Sequence, residues 1–180
     1  MTDSLVRCTI DGGVATITLD SPANRNALST ALLREFHEVL DLVEADPAVR
    51  AVVVTNTGST FCAGADLRER LAGPVDSTPM VAAFRRLMEM AVPTVAAVRG
   101  AARAGGIGLL AACDLSVVTA DASFAFTEVR LGVAPAIISV PILRRCTPSS
   151  VTSAFLTGEV FDAGAALAIG LVTHVAADAD

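Results

Sequence analysis

The sequence contains no tryptophan and no tyrosine, and aromatic residues make up only 4% of it. A stacking platform for nucleic-acid bases is therefore not expected. A formal net charge of -6 argues against a nucleic-acid partner as well. No apolar run approaches the roughly 20 residues needed to span a bilayer, so no membrane partner is expected. The N-terminal stretch "MTDSLVRCTIDGG" lacks the basic and apolar regions of a secretory signal. The four cysteines, Cys8, Cys62, Cys113 and Cys146, form no CxxC motif and no Cys/His cluster. They read as reduced thiols of a cytoplasmic protein, with no metal site implied. Walker A, GxGxxG and GxSxG motifs are all missing, which removes the simplest nucleotide-binding and serine-hydrolase readings. The two histidines, His37 in an amphipathic helical stretch and His174 in a terminal strand, are expected to be structural or solvated.

What is present is apolar. The 180 residues are 53% hydrophobic and 18% charged, with a mean hydropathy of +0.61. That predicts one domain with a large core, plus surface that a partner subunit covers. "LVRCTI" and "VATITL" around "DGG" predict a β-hairpin. Apolar residues at helical spacing predict a helix from about Ser29 to Glu44, capped by Ser29 or Thr30 and ended by Pro47. "AVVVTN", "PTVAAV", "LSVVTA", "SFAF" and "LVTHV" read as strands. Helices are predicted around Leu67 and Leu71, over 80–90, and through most of 141–168. Alternating strands and helices imply an α/β fold with one layered core.

Two segments carry the functional signal. In "AVVVTNTGSTFCAGADL" and in "PTVAAVRGAARAGGIGLLAACD" a buried strand runs through small residues into a helix. Small residues let a ligand approach the main chain, and the first turn of a helix has N–H groups without internal partners. Two such turns facing one another supply the geometry of an oxyanion hole. Strand–glycine–helix turns are also common structural devices in α/β folds, and local sequence leaves both roles open. Glu128, in "SFAFTEVRLGVAPA", follows a strand and is flanked by Phe124, Phe126, Val129 and Leu131. A carboxylate held among apolar groups suits acid–base chemistry near neutral pH; a plain ion pair with an arginine is the structural alternative.

Taken together, "NRNALST", "TGSTFCAGADL", "PTVAAVRGAARAGGIGLLAACDLSVVTA" and "SFAFTEVRLGVAP" resemble the crotonase superfamily, the enoyl-CoA hydratase/isomerase family. The order and spacing match over essentially the whole chain. The resemblance implies a crotonase-like (ClpP/crotonase) α/β spiral of ββα units, a coenzyme A thioester as substrate and no permanently bound cofactor. It implies an oxyanion hole made by the N–H groups of Ala65 and Gly105, with Glu128 as general acid and base. Ala27, Ala63, Asp66 and Gly106 fall where the family binds the CoA thioester, and Leu67 and Leu71 where it lines the acyl pocket. A homo-oligomer, trimer or hexamer, is the family expectation.

Two departures stand out, at Gly108 and in length. The family's hydratases use two glutamates, and the first maps onto Gly108, which has no side chain. Isomerases of the family need one carboxylate, and its 3-hydroxyacyl-CoA hydrolases usually add an aspartate after the later proline. Here Pro135 is followed by Ala136. Arg103, beside the expected oxyanion hole, is unusual and reads equally as a contact to a polar acyl group or as a surface residue. Finally, the family usually continues as C-terminal helices, so residues 1–180 read as one crotonase-like domain truncated before the trimerisation helices. Two other readings compete with the enzyme: a non-catalytic acyl-CoA-binding relative or subunit, and a ClpP-like protease. The second lacks a correctly placed serine and histidine.

Overall fold

The computed structural model describes residues 4–177. The chain enters through a hairpin in which β1 (Val6–Asp11) pairs antiparallel with β2 (Val14–Leu19). The turn residues Gly12 and Gly13 both have positive φ, 55° and 83°, as a two-residue loop joining right-twisted strands requires. Helix α1 (Thr30–Ala45) buries Leu32, Leu33, Phe36, Val39, Leu40 and Val43. Those are the residues its 3.6-residue spacing aligns. The Ser29 hydroxyl caps it, accepting from the Leu32 N–H at 3.2 Å.

One unit then repeats three times: a long strand, a short strand, a helix. The first is β3 (Ala51–Asn56), β4 (Thr60–Cys62) and α2 (Leu67–Ala72), followed by α3 (Thr78–Glu89). The second is β5 (Thr94–Val98), β6 (Ala101–Arg103) and α4 (Gly105–Ala112). The third is β7 (Leu115–Thr119), β8 (Ser123–Ala125), a 3-10 turn over Thr127–Leu131 and α5 (Ala136–Ile142). The chain closes with α6 (Pro148–Thr157), β9 (Phe161–Asp162), α7 (Ala163–Ala168) and β10 (His174–Ala176). The long strands form a six-stranded sheet in the order β1-β2-β3-β5-β7-β10, parallel from β2 onward. The short strands form a second sheet, β4-β6-β8-β9, parallel except for its last pair. This is the expected spiral of ββα units.

The differences from expectation lie in the short strands. "TGSTFCAGAD" and the start of "GAARAGGIG" read as loops, yet each contains a short strand, β4 and β6. Strand β9, of two residues, lies inside a stretch that reads as helical, and β10 begins later than "LVTHV" suggests. Strands of two or three residues are too short to display alternation.

Helix α4 explains the paired glycines. All eight of its residues are buried, so it has no polar face to display. Gly106 lets it lie directly on β4: a Cβ there would stand 2.4 Å from the Cys62 carbonyl oxygen. Its far end is satisfied by Arg145, whose guanidinium donates to the carbonyls of Ala111 (3.0 Å) and Cys113, a favourable place for a cation. His37 ties α1 to α3. Its Nε2 donates to the Pro79 carbonyl at 2.9 Å, and its Nδ1 accepts from Arg86 at 3.2 Å. Among the described residues no helix is long and apolar enough to cross a membrane.

Candidate active site

Strands β4, β6 and β8 lie side by side and parallel, so the turns that follow them leave the same edge of the second sheet. The three turns carry Ala65, Gly105 and Glu128. Residues far apart in sequence thus meet because the repeated unit stacks in register, with Cys62 opposite Ala102 and Arg103 opposite Ala125.

The first turn, Ala63–Asp66, is held on both sides. Leu28 donates its N–H to the Gly64 carbonyl at 2.8 Å, and the Ala63 N–H donates to the Arg25 carbonyl at 3.0 Å. Gly64 has a φ of 85°, and a Cβ there would stand 2.9 Å from the Ala104 Cβ and 3.1 Å from the Gly105 nitrogen. The first and second turns therefore touch, and only glycine fits between them. In the second turn Ala104 has a φ of 47°. Such strain in a non-glycine residue persists only where surrounding contacts enforce it. Here the Ala104 N–H donates to the Ala125 carbonyl at 3.1 Å, and helix α4 starts at once behind it. Neither the Ala65 N–H nor the Gly105 N–H has a partner among the described residues.

The third turn holds Glu128. Its Oε2 is buried and has no hydrogen-bond partner among the described residues. Burial pushes its carboxyl above the ordinary glutamate range, with its own backbone N–H and the positive charge of Arg70 acting in the opposite direction. An unpartnered buried carboxylate oxygen is costly to keep. Among the described residues Glu128 forms no ion pair, the alternative considered for it, and Arg130 instead donates to the Gly158 carbonyl at 2.6 Å.

Ala63, Ala65, Gly105 and Glu128 line one cavity of about 210 Å³. Leu67, Met80, Leu131, Ile137 and Ile138 make its apolar wall, and Ala136 brings no carboxylate to it. Ala27 lines an adjoining space of about 270 Å³ with Ala63, Asp66, Arg25 and Arg68. Asp66 is already engaged: it caps α2 by accepting from the Arg68 N–H at 2.9 Å and pairs with the Arg68 guanidinium at 3.1 Å. That arginine holds its carboxyl below the ordinary range.

Two expected ligand contacts lie elsewhere. Leu71 is 89% exposed and does not line the cavity. It stands one turn, about 6 Å, beyond Leu67, at the end of a six-residue helix that carries it past the cavity edge. Gly106 is buried against β4, with no face on the cavity. Arg103 is resolved as structural: its guanidinium donates to the carbonyls of Ala102 (2.9 Å) and Ser123 (2.5 Å) and to the Ser123 hydroxyl (3.0 Å). Burial pushes the thiols of Cys62 and Cys113 up to about 12, so neither is a nucleophile at neutral pH. Among the described residues no cluster of three His, Cys, Asp or Glu is placed to hold a metal.

Sequence reasoning passed over Asn26, which sets the position of Ala27 and Leu28. It is fully buried with a φ of 52°. Its side-chain oxygen accepts from the Ser21 N–H at 2.7 Å, and its amide donates to the carbonyls of Thr57 (3.0 Å) and Thr60 (2.8 Å). Asparagine is among the few residues that tolerate this backbone. Asn26→Ala removes all three hydrogen bonds and is expected to destabilise the fold by about 2 kcal/mol, which urea denaturation reads directly.

Comparisons with known proteins place the chain in a family. A family model described as enoyl-CoA hydratase/isomerase matches residues 9–180. A crystal structure of an enoyl-CoA hydratase from Mycobacterium avium is 46% identical and superposes with a TM-score of 0.89, covering 99% of this chain and 72% of that one. One of an enoyl-CoA hydratase from Mycobacterium smegmatis is 34% identical with a TM-score of 0.92, covering 96% and 70%. A hydroxycinnamoyl-CoA hydratase-lyase from Pseudomonas fluorescens is 32% identical over 181 residues, 94% of this chain and 65% of its own length.

Proposed function

From a chain that belongs to the enoyl-CoA hydratase/isomerase family, we propose an enzyme that moves a proton on an acyl-CoA thioester. The thioester oxygen sits between the N–H groups of Ala65 and Gly105. Negative charge collects on it as the α-carbon loses a proton, and the two N–H groups stabilise that enolate. Glu128 takes the proton and returns it. The observation that carries this reading is that Ala65 and Gly105, whose N–H groups have no partner among the described residues, line one mostly apolar cavity with Glu128, whose Oε2 is buried and unpartnered. The chemistry needs no resident cofactor, and the space beside Ala27 and Ala63 would take the CoA moiety.

Within the family, the geometry favours a double-bond shift over water addition. A side chain at position 108 would have to displace apolar neighbours: its Cβ would stand 2.8 Å from the Phe84 ring and 3.0 Å from Ile138 Cγ2. The place of a second carboxylate is therefore filled by apolar atoms. Gly108→Glu is expected to destabilise the protein by about 3 kcal/mol, through overpacking and a charge without partners, and to add no hydration activity. Thermal denaturation and a 2-enoyl-CoA hydration assay check both halves. A stable variant that hydrates faster would show that position 108 is open.

The direct test of function uses 3-enoyl-, 2-enoyl- and 3-hydroxyacyl-CoA in D2O, followed by mass spectrometry. The expected result is interconversion of 3-enoyl and 2-enoyl isomers with deuterium entering the product. Thioester binding with neither product nor deuterium would mark a non-catalytic binder instead.

A further inference from the structure

Among the described residues only two charged ones line the cavity, Glu128 and Arg70. Arg70 lies in the last turn of α2 and makes no side-chain hydrogen bond or ion pair among the described residues. Carboxylates are not scarce around it. A second space, of about 370 Å³, is lined by Arg70 together with Asp66, Glu69 and Asp76. Each of these three is committed elsewhere. Asp66 is held by Arg68. Glu69 accepts from the Thr30 N–H (3.0 Å) and hydroxyl (2.9 Å). Asp76 accepts from the Thr78 N–H at 2.9 Å. Among the described residues no carboxylate lies within ion-pair distance of the guanidinium, which borders a cavity whose lining is mostly apolar.

Arg70 also lies on the acyl side of the site. It borders the cavity that holds Glu128, and it is not among the residues around Ala27, where Arg25 and Arg68 supply the positive charge. The Glu128 carboxylate feels it electrostatically but forms no ion pair with it. At about 210 Å³ the cavity is smaller than the roughly 300–1,000 Å³ usual for ligand pockets. An acyl group that fills it is short, and its far end stays close to the cavity rim. A guanidinium there is suited to a carboxylate, which it can grip through two parallel hydrogen bonds.

We propose that Arg70 is a specificity residue that receives a carboxylate at the far end of the acyl group, so that the site prefers short dicarboxylic acyl-CoA thioesters to their neutral counterparts. The proposal rests on the acyl-thioester reading above.

The test compares three probes by calorimetry: glutaryl-CoA, pentanoyl-CoA and CoA itself. The first two share a five-carbon acyl chain and differ in the terminal carboxylate. Wild-type protein is expected to bind glutaryl-CoA roughly tenfold more tightly than pentanoyl-CoA, the size of a charged hydrogen-bonded contact. Arg70→Gln should erase that ratio while leaving pentanoyl-CoA and CoA affinities unchanged, and Arg70→Lys should keep part of it. Arg70 is exposed, so the variants are expected to fold, and unchanged CoA affinity verifies that they do. Equal affinity of the two thioesters for the wild type overturns the proposal. So does an Arg70→Gln variant that weakens all three ligands alike, which would place the guanidinium on a CoA phosphate. If none of the three binds the wild type, the acyl-thioester reading itself falls and this one falls with it.

Discussion

Glu128→Gln is expected to lower turnover of a productive acyl-CoA by about 1,000-fold while leaving thioester binding near the wild-type level. The substitution keeps the shape of the side chain and removes its ability to accept a proton. The two N–H groups at Ala65 and Gly105 are main-chain atoms of other turns, so the thioester oxygen loses nothing. A single-turnover measurement beside a binding isotherm separates the effects. If turnover persists at the wild-type rate, Glu128 is not the base and the site must be redrawn.

The same residue sets the pH profile. As a base, Glu128 works ionised, so activity falls as pH drops through its folded-state pKa. Burial raises that value, and the acid limb of the rate profile should therefore lie above the ordinary carboxylate range. The stability effect follows the same shift. Between the ordinary and the raised value, the folded protein binds more proton than the unfolded chain. Stability consequently falls as pH rises through that window. Glu128→Gln abolishes this fall, so its melting temperature at neutral pH should not drop below that of the wild type. A parallel loss of stability and activity would instead mark Glu128 as a structural residue.

How much of this was legible in the sequence follows from the distances over which each feature is built. The hairpin, α1 and the long strands rest on local periodicity and read directly. Ala65, Gly105 and Glu128 were reached because each follows a strand, and because the linked motifs resemble one family. What sequence could not show is why the three meet. That depends on β4, β6 and β8, strands of three residues each, whose parallel stacking has no local pattern. Gly108 was noticed for lacking a carboxylate. The cause became visible only when Phe84, 24 positions earlier, was found against it. Leu71 shows the converse. The resemblance places it with Leu67 at the acyl pocket, whereas here it stands one helical turn beyond Leu67 and is exposed. Arg70 gave no signal at all, because an unpartnered guanidinium is recognised only by knowing what its neighbours are bound to.

Gly64→Ala is expected to reduce kcat by about 100-fold or more, with a smaller loss of binding. Gly64 carries no functional group, and its role is to leave space. The added Cβ would stand 2.9 Å from the Ala104 Cβ and 3.1 Å from both the Arg103 carbonyl oxygen and the Gly105 nitrogen. Two of these atoms belong to backbone and cannot swing aside as a flexible side chain would. The backbone at 64 has a φ of 85°, which adds roughly 1–2 kcal/mol of strain for any residue with a Cβ. Both effects push the first and second turns apart, and those turns hold the two N–H donors. Removing one donor from such a pair costs about 3 kcal/mol in the transition state; separating the pair should approach that figure, because a donor out of position is a donor lost. The ground-state thioester depends less on this alignment, since charge develops on its oxygen only as the proton leaves. Hence kcat should fall further than affinity. The contrast that makes the test specific is Gly132→Ala. Gly132 also has positive φ, 68°, but a Cβ there meets nothing within 4 Å. That variant should lose stability to a similar backbone strain and keep its kcat, whereas equal kcat losses in the two would trace the effect to strain alone and not to the alignment of Ala65 and Gly105.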